Sequence, residues 1–175
     1  TWPADALESR GSGRIVCYDP AKNTTRTVLR KLVFPNGVCV ETGGQSLLFA
    51  ESWACRISRY WFAGPKEGQV ERVIENLPGY PDNINRASDG NYWMALMGMR
   101  SPALDLALRM PDFRRRMALE VAPDEWLQAQ VGRSSTTLGD FREGVAFLPN
   151  GGDRDHGSHK GYAVVATVDL VSGLL

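Results

Sequence analysis

The segment Phe34-Pro35-Asn36-Gly37-Val38 is answered 46 residues later by Tyr80-Pro81-Asp82-Asn83-Ile84. Each opens the same local unit: an aromatic, a proline, a polar amide or acid, then a short apolar strand, a turn and a second strand. A unit that recurs at roughly 40–50 residues constrains a chain strongly, because this is the period of a propeller blade or a related repeat array. In such an array, equivalent positions of neighbouring blades converge on one central channel. Asn36, Asp82 and Asn83 are therefore expected close together in space, and converging oxygen ligands suit a hard cation such as calcium.

The rest of the first 95 residues or so fits that frame. Apolar and β-branched runs predict strands over 14–18, 24–29, 38–41, 46–50, 56–61, 70–74, 83–85 and 92–96. Between them stand Asp19-Pro20, Gly43-Gly44, Gly64-Pro65 and Asp89-Gly90, residues that form turns for stated steric reasons. Even spacing of this kind argues for an antiparallel all-β fold. Over 103–130 the pattern changes to Leu104, Leu106, Leu108, Met110, Phe113, Met117 and Leu119 with Arg and Asp between, which predicts one or two short helices broken at Pro111 and Pro123. In a propeller this is an insertion over one face of the ring. Residues 162–170 read as β-like, and 149–159, rich in Gly, Asp and His, as a loop.

Length and charge exclude several classes. The chain has 175 residues, which suits one domain of ordinary size over 1–175. Lys plus Arg and Asp plus Glu are 20 each, so the net charge is zero and no basic excess points to nucleic acid or to an anionic membrane surface. No apolar run approaches the roughly 20 residues that span a bilayer. No signal peptide is visible, and the start at Thr1 without Met leaves room for an upstream segment. Three cysteines do not make a disulfide framework. Cys17 and Cys39 fall inside strand-like runs and are expected in the core. Asn23-Thr24-Thr25 fits a glycosylation sequon, which matters only in a secreted protein.

Taken in order, Gly13-Arg14-Ile15-Val16, Tyr18-Asp19-Pro20, Phe34-Pro35-Asn36-Gly37-Val38, Arg56-Ile57-Ser58-Arg59-Tyr60-Trp61, Leu77-Pro78-Gly79-Tyr80-Pro81-Asp82-Asn83-Ile84 and Trp93-Met94-Ala95-Leu96 resemble the strictosidine-synthase-like family, relatives of the senescence-marker-protein/gluconolactonase and paraoxonase proteins. The match runs from about Ala6 to Glu120. The resemblance implies a six-bladed β-propeller. It implies further that hydrolytic branches hold calcium or another divalent cation at the end of the channel and open lactones or esters there, whereas the synthases proper join an amine to an aldehyde with a glutamate and no metal. On this resemblance Asn36 matches the metal-binding Asn of an Asn-Gly motif. Asp82 matches the metal-binding aspartate of a Pro-Asp motif, also the candidate catalytic base. Asn83 matches a neighbouring amide ligand. The family's remaining ligands, a glutamate and an asparagine of earlier blades, would lie before Thr1, and no residue matches the synthase glutamate.

A ring of six such blades needs about 240–300 residues, so this chain supplies about three, with a short helical insertion. An open arc exposes strand edges, which invites a second copy to pair as a homodimer. The leading expectation is a metal-dependent hydrolase of the lactonase or arylesterase type acting on a small-molecule ester or lactone. The alternatives are a non-catalytic truncated propeller serving as an interaction module, and an amine–aldehyde condensing enzyme. Spacing alone leaves Asn36, Asp82 and Asn83 open as plain turn formers. Glu51 and Trp53 follow a strand and are placed to face the channel, with blade packing the simpler role for Trp53. Tyr60, Trp61 and Trp93 are expected in the core. His156 and His159 form a His-x-x-His pair in a polar loop, where a solvated loop is the simpler role than zinc binding. Ser52 lacks a nucleophile elbow, and no phosphate loop or dinucleotide fingerprint is present.

Overall fold

Gly, Pro, Asn and Asp recur at hairpin spacing through the first hundred residues, and the runs between them pair into antiparallel sheets. A computed structural model of the chain describes residues 2–100, 102–122 and 125–126, with the backbone of 145–149 and 164–168. A short helix, α1 (Trp2–Glu8), leads into β1 (Gly13–Asp19) and β2 (Thr24–Leu32), which form a two-stranded sheet. Next come β3 (Pro35–Val40), β4 (Ser46–Glu51), β5 (Arg56–Trp61) and β6 (Val70–Ile74), a four-stranded meander in chain order and a complete blade. A second four-stranded sheet begins with β7 (Gly79–Arg86) and β8 (Tyr92–Met99). The helices α2 (Pro102–Leu108) and α3 (Pro111–Glu120) interrupt it before β9 (Val145–Pro149) and β10 (Val164–Val168). Its order is β7-β8-β10-β9, so β10 rather than β9 lies beside β8. The architecture is all-β and of the propeller type, with about three blades represented.

β4 shows why the blade is stable. Its residues Ser46-Leu47-Leu48-Phe49-Ala50-Glu51 are buried along their whole length. Side chains alternate between faces of a strand. Leu48 and Ala50 accordingly enter one cluster with Ile57, Tyr80, Met94 and Leu96, the junction with the next sheet. Leu47 and Phe49 enter the other, where Ile15 and Leu32 bring the β1–β2 pair against the opposite face. Leu104 of α2 seals the first cluster.

Every strand predicted in the first 96 residues is found, β5 and β6 at their predicted limits and β1 and β4 within a residue, whereas β2, β3, β7 and β8 run three or four residues further at one end. Residues 103–130 do contain helices, but Pro111 opens α3 instead of merely ending α2, as suits a residue whose missing N–H is no loss at the first helical position. α1 has no sequence prediction. It is held from a distance: Arg114 on α3 donates to the terminal carbonyls of Leu7 at 2.7 Å and Glu8 at 2.8 Å. Cys17 is exposed and Cys39 half-buried, contrary to expectation, and the buried cysteine is Cys55. Ile15 is the buried residue of β1, and from Val16 to Tyr18, past a register shift in the two-stranded sheet, the strand is exposed on both faces. Trp93 is also outside the core, because the alternation of β8 turns Tyr92, Met94 and Leu96 inward. Tyr60 and Trp61 are half-buried. The loop 150–159, including His156 and His159, lies outside the described residues. No helix among them is long and apolar enough to cross a membrane.

β3 and β7, the first strands of the two four-stranded sheets, approach so closely that a Cβ on Gly37 would lie 2.5 Å from the Asp82 carbonyl oxygen, 2.5 Å from the Ile84 nitrogen and 2.8 Å from the Asn83 Cα. Those are backbone atoms and cannot swing aside. Gly37→Ala is expected to destabilise the fold by about 1–3 kcal/mol or more, the range for forcing atoms into a filled interior. Gly43→Ala, at a position with nothing within 4 Å, is expected to change stability little. Paired urea melts check the contrast.

Candidate functional site

The two repeat units build matching irregularities. On β3, Pro35 pairs with Glu51 and Val38 with Phe49, so three steps along β3 face two along β4. On β7, Pro81 pairs with Leu96 and Ile84 with Met94, with the same surplus residue. Such bulges leave backbone unpaired and re-aim side chains, and they recur next to functional sites. Here the surplus falls on Asn36-Gly37 in one strand and Asp82-Asn83 in the other. The missing side chain of Gly37 lets the two bulges face each other.

Asn36 and Asp82 are neighbours: the Asn36 side-chain amide lies close enough to the Asp82 carboxyl to favour its ionised form. Both are half-buried. Burial raises the pKa of the Asp82 carboxyl above its ordinary range, and the nearby Asn36 amide opposes that only in part. The opposing group is a neutral amide, not a cationic side chain. A carboxylate left in this condition is one that a bound cation would stabilise, and amide and carboxylate oxygens are the donors a hard cation takes. Asn83 follows on the same bulge and is exposed. Among the described residues, no three or more His, Cys, Asp or Glu side chains cluster as a metal site, so any cation here would rest on one carboxylate and on amides.

The aromatics that open the two repeat units, Phe34 and Tyr80, both pack on Trp53. Trp53 is buried, with Phe34 at 5.0 Å and Tyr80 edge-on at 5.5 Å between ring centroids. That is the packing role expected of it. Glu51 does not present its carboxylate to a channel. It is 1% exposed, accepts the Val33 N–H at 3.0 Å, and pairs with the Arg56 Nε at 2.6 Å. Ser52 is fully buried, and its hydroxyl donates to the Pro81 carbonyl at 2.5 Å. The sequence points to Ser52 only as a nucleophile to be set aside. Its position two residues beyond Ala50 in a fully buried strand is the one signal that marks it as internal.

A family model described as strictosidine synthase matches residues 2–65. STRICTOSIDINE SYNTHASE-LIKE 13 of Arabidopsis thaliana is 42% identical over 138 residues, which cover 78% of this chain and 34% of that protein. STRICTOSIDINE SYNTHASE-LIKE 6 of the same plant is 38% identical over 115 residues, covering 66% of this chain and 30% of its own length. Among solved structures, a luciferin-regenerating enzyme superposes with a TM-score of 0.45 at 17% identity, over 50% of this chain and 30% of that one. The chain thus spans about a third of the length of the curated relatives it matches.

The raised Asp82 pKa fixes the sign of a pH effect. A carboxyl whose folded pKa lies above its unfolded value of 3.8 binds its proton more tightly when folded. Its ionised form therefore costs stability above the folded pKa, and that cost fades as the pH falls toward 3.8. Asp82→Asn, melted in chelator, is expected to be at least as stable as the parent at pH 7, with the difference closing toward pH 4. A variant that melts lower at pH 7 than the parent would show that the carboxylate is compensated in the folded chain.

Proposed function

Since the chain belongs to the strictosidine-synthase-like family, we propose that Asn36, Asp82 and Asn83 form part of a calcium or other divalent-cation site of a propeller that hydrolyses small-molecule esters or lactones. Residues 1–175 are read as one partial propeller domain with α2 and α3 as its helical insertion. The observation that carries the function is the contact between Asn36 and Asp82 at two matched bulges, with the carboxylate pushed upward by burial.

A cation bound there would polarise a carbonyl and stabilise the charge that develops on its oxygen. The chain's own residues supply the rest. The Asn36 amide fixes the orientation of the Asp82 carboxylate. Asp82 would take the proton from a water that attacks the carbonyl; burial raises its pKa, and a bound cation would draw it down. Asn83, exposed on the bulge, offers a neutral oxygen from the solvent side.

A second reading rests on the ligand count. Calcium takes about six to eight oxygens, and these three residues supply fewer. A chain with an incomplete site would act as a non-catalytic interaction module, or complete the site by pairing with another copy. Val38 and Val40, both exposed on β3, support such pairing. An amine–aldehyde condensing enzyme would work unchanged in chelator.

Thermal melts of the chain with calcium and with chelator test these readings, because a ligand that binds only the folded state stabilises it by about 2.7 kcal/mol at a hundredfold excess over its dissociation constant. The expected result is a calcium-dependent rise that Asp82→Ala abolishes, together with loss of ester and lactone cleavage by more than about a hundredfold, the scale for removing a general base. A melt indifferent to calcium, with no turnover, selects the interaction module.

A further inference from the structure

We infer that the turn at Glu51-Ser52 is a clamp that positions Asn36 and Asp82 relative to each other, with Ser52 as its central residue. The inference rests on the reading of Asn36 and Asp82 as the functional pair.

Two successive residues reach both repeat units. The Glu51 carboxylate accepts the Val33 N–H at 3.0 Å. The Ser52 N–H donates to the Phe34 carbonyl at 3.1 Å. The Ser52 hydroxyl donates to the Pro81 carbonyl at 2.5 Å. Phe34 stands two residues before Asn36, and Pro81 one before Asp82. One buried turn thus holds the backbone immediately ahead of each member of the pair, in two different sheets.

The clamp is itself fixed. Glu51 is tied through its other oxygen to Arg56 at 2.6 Å, and the Ser52 carbonyl accepts the Cys55 N–H at 3.0 Å. What it holds on the β3 side is strained. Phe34 has φ of +50°, a conformation that bulky residues rarely adopt and that the following proline makes less favourable still. Such a backbone persists only where its surroundings over-determine it. Here those surroundings are the Ser52 N–H on the Phe34 carbonyl, the Glu51 carboxylate on the Val33 N–H, and the Trp53 ring against the Phe34 ring. Strain of this kind directly ahead of Asn36 aims the amide; a relaxed backbone would carry it away from Asp82.

Ser46 provides a matched control. It too is a buried serine, at the opposite end of β4 from the Glu51-Ser52 turn, and its hydroxyl also makes a 2.5 Å hydrogen bond, to Glu41. Removing either hydroxyl removes one buried hydrogen bond, and only one of the two lies on the clamp.

The experiment uses the full chain labelled with nitrogen-15. The Asn36 side-chain amide pair is assigned by its disappearance in Asn36→Ala, and Tb3+ is titrated as an oxygen-seeking probe by its luminescence. The expected result is that Ser52→Ala moves the Asn36 amide pair and weakens Tb3+ binding at least fivefold. Ser52→Thr, which keeps the hydroxyl, restores both, and Ser46→Ala changes neither. Ser52→Cys, close in volume and a weaker donor, serves the same comparison if Ser52→Ala gives no folded spectrum. An unmoved Asn36 amide pair in the Ser52 variants overturns the inference. So does an equal movement in Ser46→Ala, which would mark a general loosening, or an unchanged Tb3+ affinity in Ser52→Ala. If the parent chain binds no Tb3+ while the amide pair still responds to Ser52 alone, the cation reading falls and the clamp stands.

Discussion

The backbone of β3 comes against the backbone of β7 at Gly37, and the site depends on that approach. Sheets normally meet through interlocking side chains, which keep their backbones about 10 Å apart. At Gly37 a single side chain's absence closes the gap to contact between main chains. Two consequences follow together. The junction clusters around Leu48, Tyr80, Met94 and Leu96 pack beside it, so the core of one blade is continuous with the next. Asn36 and Asp82, each a neighbour of the closest point, are then brought within reach of one another.

Glu51 and Asp82 show how environment divides labour between two carboxylates. Glu51 is the more deeply buried, yet it is answered by Arg56, by the Val33 N–H and by the Ser58 hydroxyl at 3.5 Å. Breaking such a buried pair is costly because it strands a charge, so Glu51 belongs to the framework. Asp82 is less buried but is answered only by an amide, and its pKa moves upward. A perturbed carboxyl without a cationic partner is the kind of group on which the proposed cation site rests.

The repeat that locates the site is legible in the sequence because it is local: Phe-Pro-Asn-Gly and Tyr-Pro-Asp-Asn each carry their own turn chemistry. The strands are legible for the same reason. What holds the site is not local. The role of Glu51 depends on where Val33 and Arg56 arrive, and that of Ser52 on a carbonyl 29 residues away. α1 is fixed by Arg114 across 107 residues, and at seven residues Trp2–Glu8 is too short to be a stable helix on its own propensity. Trp93 is a different case. Strict alternation in β8 already directs it outward, and residue type is the weaker guide there.

The blade's outer strands carry their electrostatics well apart from the bulges. Arg59 pairs with Glu41 at 2.6 Å and with Glu71 at 3.3 Å, and Lys66 reaches Glu71 at 2.7 Å. Arg59 and Lys66 both stand against the Trp61 ring, at 5.6 and 5.1 Å. Hydrogen bonds from Lys66 and Arg59 hold the Glu71 carboxyl down at about 2, so this network stays charged at any pH where the fold is expected to work. Here every carboxylate has a cation, whereas at the junction with β7 one does not. The charges of the blade's outer strands are thus matched, and that at Asp82 is not. A site that holds a partly desolvated carboxylate in readiness requires a framework beside it, and the Glu51-Ser52 turn is where the two are joined.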